Sequence, residues 1–335
     1  MEKIKIPVTI ITGGLGAGKT SLINRILTEN KKTRFAIIEN EFGEIGIDQD
    51  LIETDAEPEV VEISDGCICC TVRSDLVKAL TAIYEKKDDF DSLLIETTGL
   101  AEPGPVAQVM IADPQLAGKF TLNAVVSLVD AEYIMMHLDK NPVAAEQIGF
   151  ADILILNKSD RVDTEKLENI TARLTDMNVQ ADLTVTEHAN IDTRKILSAD
   201  SFSLDRVLAL DPQFIEMTGT DQPEDNLMGL MNRMPTYQDE ISSIGLVMKG
   251  ALDEKKVDAW LTFLTAIQGD DILRMKGILN IKGLDERLVI QGVHSTLTGD
   301  TSKPWADAER ESRLLFIGRF LDRKQLEDGL KKCLA

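Results

Sequence analysis

No stretch of this chain holds the roughly 20 consecutive apolar residues that a membrane-spanning helix needs. The apolar run in the N-terminal MEKIKIPVTIITGG is too short for a signal peptide and passes straight into a glycine-rich loop. The expected setting is cytoplasmic, with no membrane partner. Positive charge is also short, since 36 Lys and Arg stand against 57 Asp and Glu, a net charge of −21 with histidine neutral. Such a field repels nucleic acid and anionic surfaces and suits cationic partners better. Cysteine is scarce: three of the four, Cys67, Cys69 and Cys70, crowd together while Cys333 stands alone near the C-terminus, which excludes a disulfide framework. Aromatic residues are sparse at 4%, but 43% hydrophobic and 28% charged residues are ordinary for a globular protein with a sizeable core. There is no internal repeat or low-complexity tract, and 335 residues exceed the usual single core, so two domains are expected.

What is present starts with GGLGAGKT, in which Gly13, Gly18, Lys19 and Thr20 meet the pattern G-x-x-x-x-G-K-[ST]. It follows the apolar run IPVTIIT and opens into SLINRILTEN, where Leu22, Ile23, Ile26 and Leu27 recur at helical spacing. Strand, loop and helix are the context in which this pattern binds phosphate. The loop residues Gly13, Gly14, Leu15, Gly16, Ala17, Gly18, Lys19, Thr20 and Ser21 are the candidate nucleotide contacts. Glycines let main-chain N–H groups close around phosphate oxygens, the helix N-terminus adds partial positive charge, Lys19 reaches the β- and γ-phosphates, and the Thr20 hydroxyl ligates Mg²⁺. A glycine-rich turn with a solvated lysine is the competing reading.

A second buried strand, Phe35 to Ile38, leads into an acidic loop with Glu39, Glu41, Glu44 and Asp48, where a nucleotide-responsive switch lies in a P-loop protein. A solvated acidic loop is the alternative. VVEISDGCICCTVRSDLVKALTAIY then reads as a short strand, a turn, the C-x-C-C cluster and a helix. A helix dipole and Arg73 favour thiolates, which bind borderline and soft cations such as Zn²⁺. The spacing is not that of a C-x-x-C knuckle, so a turn has to gather all three thiols or only two bind. Buried small side chains, a redox pair and a purely structural zinc compete with a transferable metal site.

The strand Leu93 to Ile95 ends at Glu96, with Gly99 three residues on, the Walker B plus switch arrangement of NTPases. LNAVVSLVDAEY reads as strand and turn, and GFADILILNKSD as a strand ending in Asn157, Lys158 and Asp160. In a P-loop protein N-K-x-D reads guanine: the Asp160 carboxylate accepts from N1–H and the exocyclic amine while Lys158 lies along the base, at the strand edge where ligands gather in α/β sheets. DTEKLENITARL is an amphipathic helix, ADLTVTEHANID a short strand and a loop, and His188 an exposed loop residue. The expected division is a P-loop domain over 1–200 with a mostly parallel sheet, a linker over 201–240, and a smaller α+β domain over 241–335. For the last, the pattern predicts β-α-β-β-β-α, an antiparallel sheet with helices on one face.

GGLGAGKT, IENEFGEIGID, GCICCT, ETTGLAEPGPV and NKSD, in this order, resemble the CobW-type metallochaperone GTPases, within the wider group of hydrogenase and urease nickel-insertion GTPases. ILRMKGIL, VIQGVHS, KPW and LLFIGR are similar to the C-terminal domain of that family, so the resemblance spans nearly the whole chain. It implies Mg²⁺-dependent GTP hydrolysis with Lys19, Thr20 and Glu96 as the catalytic group, and Zn²⁺ or Co²⁺ at Cys67, Cys69 and Cys70. Glu39 and Glu44 are further implied ligands, and a client metalloprotein or metal-insertion enzyme is the implied partner. Oligomeric state stays open, a homo-oligomer included. Many relatives carry a histidine-rich stretch, whereas this chain has only His137, His188 and His294, so metal storage by such a tract is not implied. Two other functions remain: a small-molecule kinase using the same loop, and a metal-independent binding protein timed by GTP. No glutamine is obviously placed to orient the attacking water, so slow intrinsic turnover is expected.

Overall fold

The computed structural model describes residues 5–40, 59–62, 71–116, 118–199, 241–305 and 309–335. The expected linker over 201–240 lies outside the described residues, as do Glu44, Cys67, Cys69 and Cys70. From the N-terminus the elements are β1 Ile6–Gly13, α1 Lys19–Glu29, β2 Phe35–Asn40, β3 Glu59–Glu62, α2 Thr71–Glu85, β4 Ser92–Thr97 and α3 Pro103–Ala112. Then come β5 Phe120–Asp130, α4 Ile134–Lys140, α5 Pro142–Phe150, β6 Ile153–Asn157, α6 Thr164–Met177, β7 Asp182–Val185 and α7 Thr193–Leu197.

The seven strands form one sheet in the order β3-β2-β4-β1-β5-β6-β7, every pair parallel. Parallel strands need crossover helices, which bury both faces, and the strands accordingly read as near-continuous apolar runs. Alternate residues serve opposite faces: Val8, Ile10, Ile38, Leu93, Ile95 and Val125 join one core, Ile11, Ile37, Leu94, Ala124 and Val126 the other. The apolar stripe Leu22, Ile23, Ile26 and Leu27 of α1 closes the second core. Parallel order puts the carboxyl ends of all these strands along one edge, where the motif residues collect. Helices α4 and α5 occupy a segment with no predicted element, because α5 is buried nearly all round from Ala144 to Phe150 and shows no amphipathic period.

The C-terminal elements are β8 Ile241–Lys249, α8 Glu254–Gln268, β9 Ile272–Leu279, β10 Glu286–Val293, β11 Thr296–Pro304, β12 Glu311–Arg319 and α9 Arg323–Lys332. Their antiparallel sheet has the order β11-β10-β9-β12-β8. The expected α+β character and the helices on one face are observed, since Val257, Leu261, Leu264, Leu326 and Leu330 pack with Leu246, Met275 and Phe316. The strand count differs: RLVIQGVHSTLTG, expected as one strand, folds as a hairpin that turns at His294 and Ser295, giving five strands. His294 takes the left-handed conformation, φ 50°, a pairing without the usual Asn-Gly signal, and β11 is a polar edge strand with little hydrophobic pattern.

The other face of this sheet packs on the first unit, so that Ile241, Leu273, Val293, Leu315 and Ile317 share a core with the parallel sheet. At its centre Asp152 accepts from Arg274 at 2.7 Å and lies 3.4 Å from the Lys276 ammonium, with its other oxygen taking the Val125 N–H at 2.8 Å. Burial pushes the Asp152 carboxyl up, but the two cations and the hydrogen bonds from Val125 and Arg274 outweigh it and hold the group below the usual carboxylate range.

Candidate nucleotide site

The phosphate loop leaves β1 at Gly13 and enters α1 at Lys19, with φ of 131° at Gly13 and 109° at Gly18. A Cβ on Gly18 would sit 2.7 Å from Asn157 Nδ2, so glycine is required there for close approach as well as for its backbone angle. Gly18 caps α1 without a side-chain hydrogen bond, and no acidic residue occupies the first turn. The helix N-terminus is thus left to the loop, with its N–H groups and partial positive charge available to an anion. Lys19 is 8% exposed and folds back across the loop, donating to the carbonyls of Gly13 at 3.1 Å and Gly14 at 3.3 Å. Thr20 is half-buried and Ser21 exposed, while Leu15 and Gly16 stand at the exposed tip and Ala17 is buried. This is a cradle of the right chemistry for polyphosphate, and a hydroxyl on the first turn is a hard oxygen donor that suits Mg²⁺.

Beside it, near the end of β4, Glu96 pairs in register with Ile11 of β1 on one side and Glu39 of β2 on the other. Glu39 in turn pairs with Glu62 of β3. Three acidic positions therefore share one level at the carboxyl edge; Glu39 and Glu62 are placed there by main-chain register. Glu96 is buried. Thr97 donates to Thr12 through a 2.8 Å contact of their hydroxyls, which locks β4 to β1 at the point where both chains leave the sheet. Gly99 then lies against the phosphate loop so closely that a Cβ would come 2.6 Å from the Leu15 nitrogen. The Gly99 loop is therefore packed on the phosphate loop, main chain to main chain.

On the opposite flank, Asn157 is buried and faces protein on every side. Its amide donates to Ala17 O at 2.9 Å, and its carbonyl accepts from Thr186 Oγ1 at 3.2 Å and from Ala189 N at 2.8 Å. Asn157 joins the phosphate loop to the 186–189 loop. Lys158 takes the left-handed conformation, φ 61°, and its ammonium lies 2.6 Å from the buried Asp130 carboxylate at the end of β5. Ser159 donates through both its N–H and its hydroxyl to Thr186 O, at 3.2 and 3.1 Å, fixing the turn that presents Asp160 to solvent. An exposed carboxylate on a turn held this firmly can accept two parallel hydrogen bonds from a planar donor pair.

Between the phosphate loop, the Gly99 loop and helices α4 and α5 lies a cavity of about 140 Å³, lined in part by Gly14, Gly99, Ser127, Asp130, His137 and Gln147. The Gln147 amide reaches from α5 to the carbonyls of Gly99, at 3.4 Å, and Ala101, at 3.1 Å. Sequence reasoning passed over Asp130, Thr186, Ala189 and Gln147. Only Asp130 carried a signal, because it closes an apolar run as Glu39 and Glu96 do. Among the described residues no group of three or more His, Cys, Asp and Glu is placed to hold a metal ion. Nor is any helix among them long and apolar enough to cross a membrane.

The family sequence model described as "CobW/HypB/UreG, nucleotide-binding domain" matches residues 7–185, and "Cobalamin synthesis protein cobW C-terminal domain" matches residues 241–334. The chain is 33% identical to "Zinc chaperone YjiA" of Escherichia coli, covering 98% of this chain and 99% of the relative. It is 30% identical to "Zinc chaperone CobW" of Pseudomonas aeruginosa, covering 99% of this chain and 92% of the relative. The crystal structure of the Zn(II)-bound YjiA GTPase from E. coli superposes with a TM-score of 0.73 at 28% identity, over 99% of this chain and 100% of that one. A phosphate loop, a Walker B strand end and an N-K-x-D turn on one parallel sheet, followed by the matching C-terminal domain, make this chain a member of the CobW/HypB/UreG family.

Proposed function

We propose that this protein is a GTP-hydrolysing metallochaperone that carries zinc at its C-x-C-C segment and passes it to a client metalloprotein or metal-insertion enzyme under nucleotide control. The observation that carries this reading is the Asn157 staple, which builds the phosphate loop and the N-K-x-D turn into one rigid unit. Phosphates and guanine are then read together. In this reading Lys19 neutralises the β- and γ-phosphates, Thr20 and the Walker B carboxylate Glu96 serve the Mg²⁺ end, and the Gly99 N–H meets the γ-phosphate. Lys158 covers the base and Asp160 accepts its N1–H and exocyclic amine. Mg²⁺, when bound, supplies charge that stabilises phosphoryl transfer. The relatives named as zinc chaperones favour Zn²⁺ over Co²⁺ as cargo. Cys67, Cys69 and Cys70, with Glu39 and Glu44, are the proposed ligands, and a cytoplasmic setting keeps the thiols reduced. The proposed division is 1–200 for the GTPase domain and 241–335 for the C-terminal domain, joined through 201–240.

Nucleotide control follows from placement. The cysteine segment falls between β3 and α2, and the acidic loop between β2 and β3, so both issue from the edge where Glu39, Glu62 and Glu96 share one level. A γ-phosphate that orders these loops assembles the ligands, and hydrolysis releases them. The coupling is reciprocal, so metal tightens GTP over GDP by the same factor, ~5 to 150-fold. The test is Zn²⁺ affinity by chelator competition in the apo, GDP and GTP-analogue states, repeated with Cys67, Cys69 and Cys70 all changed to Ser. Tighter Zn²⁺ binding with the GTP analogue, lost in the triple variant, is expected. Equal affinity in all three states would leave a GTPase with an unrelated thiol site.

A further inference from the structure

Helix α5 is held more firmly than its nine residues require. Asn141 caps its N-terminus, accepting from Val143 N at 3.0 Å. At the other end the Asn178 amide donates to the carbonyls of Ile148, Gly149 and Ala151, at 2.8, 3.2 and 2.8 Å. From the C-terminal sheet, Arg274 donates to Phe150 O at 3.0 Å and Arg319 to the Glu146 carboxylate. All these bonds fix α5 as a rail, and the next residue after Glu146 is the one that reaches the nucleotide edge.

That residue, Gln147, is 2% exposed, and its amide donates to two carbonyls of the loop following β4, Gly99 O and Ala101 O. Among the described residues, the loop's other hydrogen bonds are local turns: Ala101 N to Thr98 O at 3.1 Å and Leu100 N to Thr98 Oγ1 at 3.3 Å. Among the described residues, Gln147 supplies the hydrogen bonds that tie the loop to a helix. Its hold on the Gly99 carbonyl sets the peptide plane that follows Gly99, while the contact of Gly99 with Leu15 N sets its height over the phosphate loop.

We propose that Gln147 is the positioning residue of the Gly99 loop, holding it where the Gly99 N–H meets the γ-phosphate, with α5 and the C-terminal sheet as its rigid support. This rests on the nucleotide reading above. Gln147 touches neither the phosphates nor the attacking water; it acts through the loop it holds. Its contribution therefore falls on the γ-phosphate-dependent states alone, since GDP has no group for the Gly99 loop to meet.

The test compares the parent with Gln147→Leu, which keeps volume without polar atoms, and Gln147→Glu, which keeps shape but as a carboxylate cannot donate and as a neutral acid can donate only one bond. Affinities for GDP and for a non-hydrolysable GTP analogue with Mg²⁺ are measured beside the hydrolysis rate at saturating GTP and the melting temperature of the GDP-bound protein. Loss of two hydrogen bonds should weaken the GTP analogue and slow hydrolysis by about 10-fold or more while GDP affinity stays near the parent value, and the GDP-bound melting temperature should fall by no more than the loss of those two bonds requires. Should a buried carboxylate prevent Gln147→Glu from folding, Gln147→Leu carries the comparison alone. Parallel loss of GDP and GTP-analogue affinity with a lowered melting temperature would reduce Gln147 to a packing role, and unchanged values would remove it altogether. A parent that fails to bind GTP would overturn the nucleotide reading itself.

Discussion

Asn157 donates its side-chain amide to the main-chain carbonyl of Ala17 at 2.9 Å, joining the end of β6 to the loop that follows β1. The same side chain accepts from Thr186 and Ala189, so one buried residue holds three segments. Asn157→Ala should leave those partners without bonds in a buried site, a cost of about 1–3 kcal/mol. Because the phosphate loop loosens as a whole, GTP and GDP affinity should fall together and guanine preference should persist. Thermal melting with fluorescent-nucleotide titration checks this; a variant that melts like the parent would show that the staple contributes nothing.

Asp160 makes the opposite case. It is exposed on a turn held by Ser159, so replacing it should cost the fold little. Asp160→Asn presents a donor where guanine also donates, and preference for GTP over ATP should shrink. Discrimination by hydrogen-bond readout can reach several kcal/mol, so the parent should prefer GTP strongly. Competition of ATP and GTP for a bound fluorescent GTP analogue decides it, and equal competition against the parent would sink the guanine assignment.

The contrast between these residues shows what sequence can carry. N-K-x-D is contiguous, so its presence is visible, but the role of Asn157 depends on partners 140 and 29 residues away. The parallel strands were readable because burial on both faces leaves unbroken apolar runs. Helix α5 was not, since burial nearly all round erases the period that marks a helix. Gln147 sits on that helix and was missed with it. In the C-terminal sheet the turn at His294 and Ser295 lacked glycine and the strand after it lacked apolar residues, so two strands read as one. Cys67, Cys69, Cys70 and Glu44 lie outside the described residues and rest on their sequence pattern.

Lys19 tests the phosphate assignment most directly. Its ammonium now rests on the carbonyls of Gly13 and Gly14, a position from which a short swing reaches an anion over the loop. Lys19→Ala should reduce GTP hydrolysis ~10²-fold or more, as loss of a transition-state charge contact does. Thr20→Ala should weaken the Mg²⁺ dependence of the rate. Phosphate release over a Mg²⁺ series reads both. Parent-like hydrolysis by Lys19→Ala would move the activity to another site.

Asp152 links the two sheets through Arg274 and Lys276, and its folded-state pKa is depressed. A depressed carboxylate contributes stability that is present above the unfolded pKa, about 3.9, and is lost as pH falls through the lower folded value. The Asp152 contribution should therefore be constant from neutral pH down to about 4 and fade only below it. Asp152→Asn keeps the shape and can still accept a hydrogen bond, but it withdraws the charge that faces buried Arg274 and half-buried Lys276. Breaking a buried pair this way typically costs about 3–5 kcal/mol. Urea unfolding of parent and variant should show that gap at neutral pH and a narrowing gap in acid, where the parent carboxylate takes up its proton. A gap that stays the same into strong acid would mean that it does not arise from the Asp152 charge, and parent and variant of equal stability at neutral pH would mean that the shape of the side chain, which both share, is what holds the sheets together.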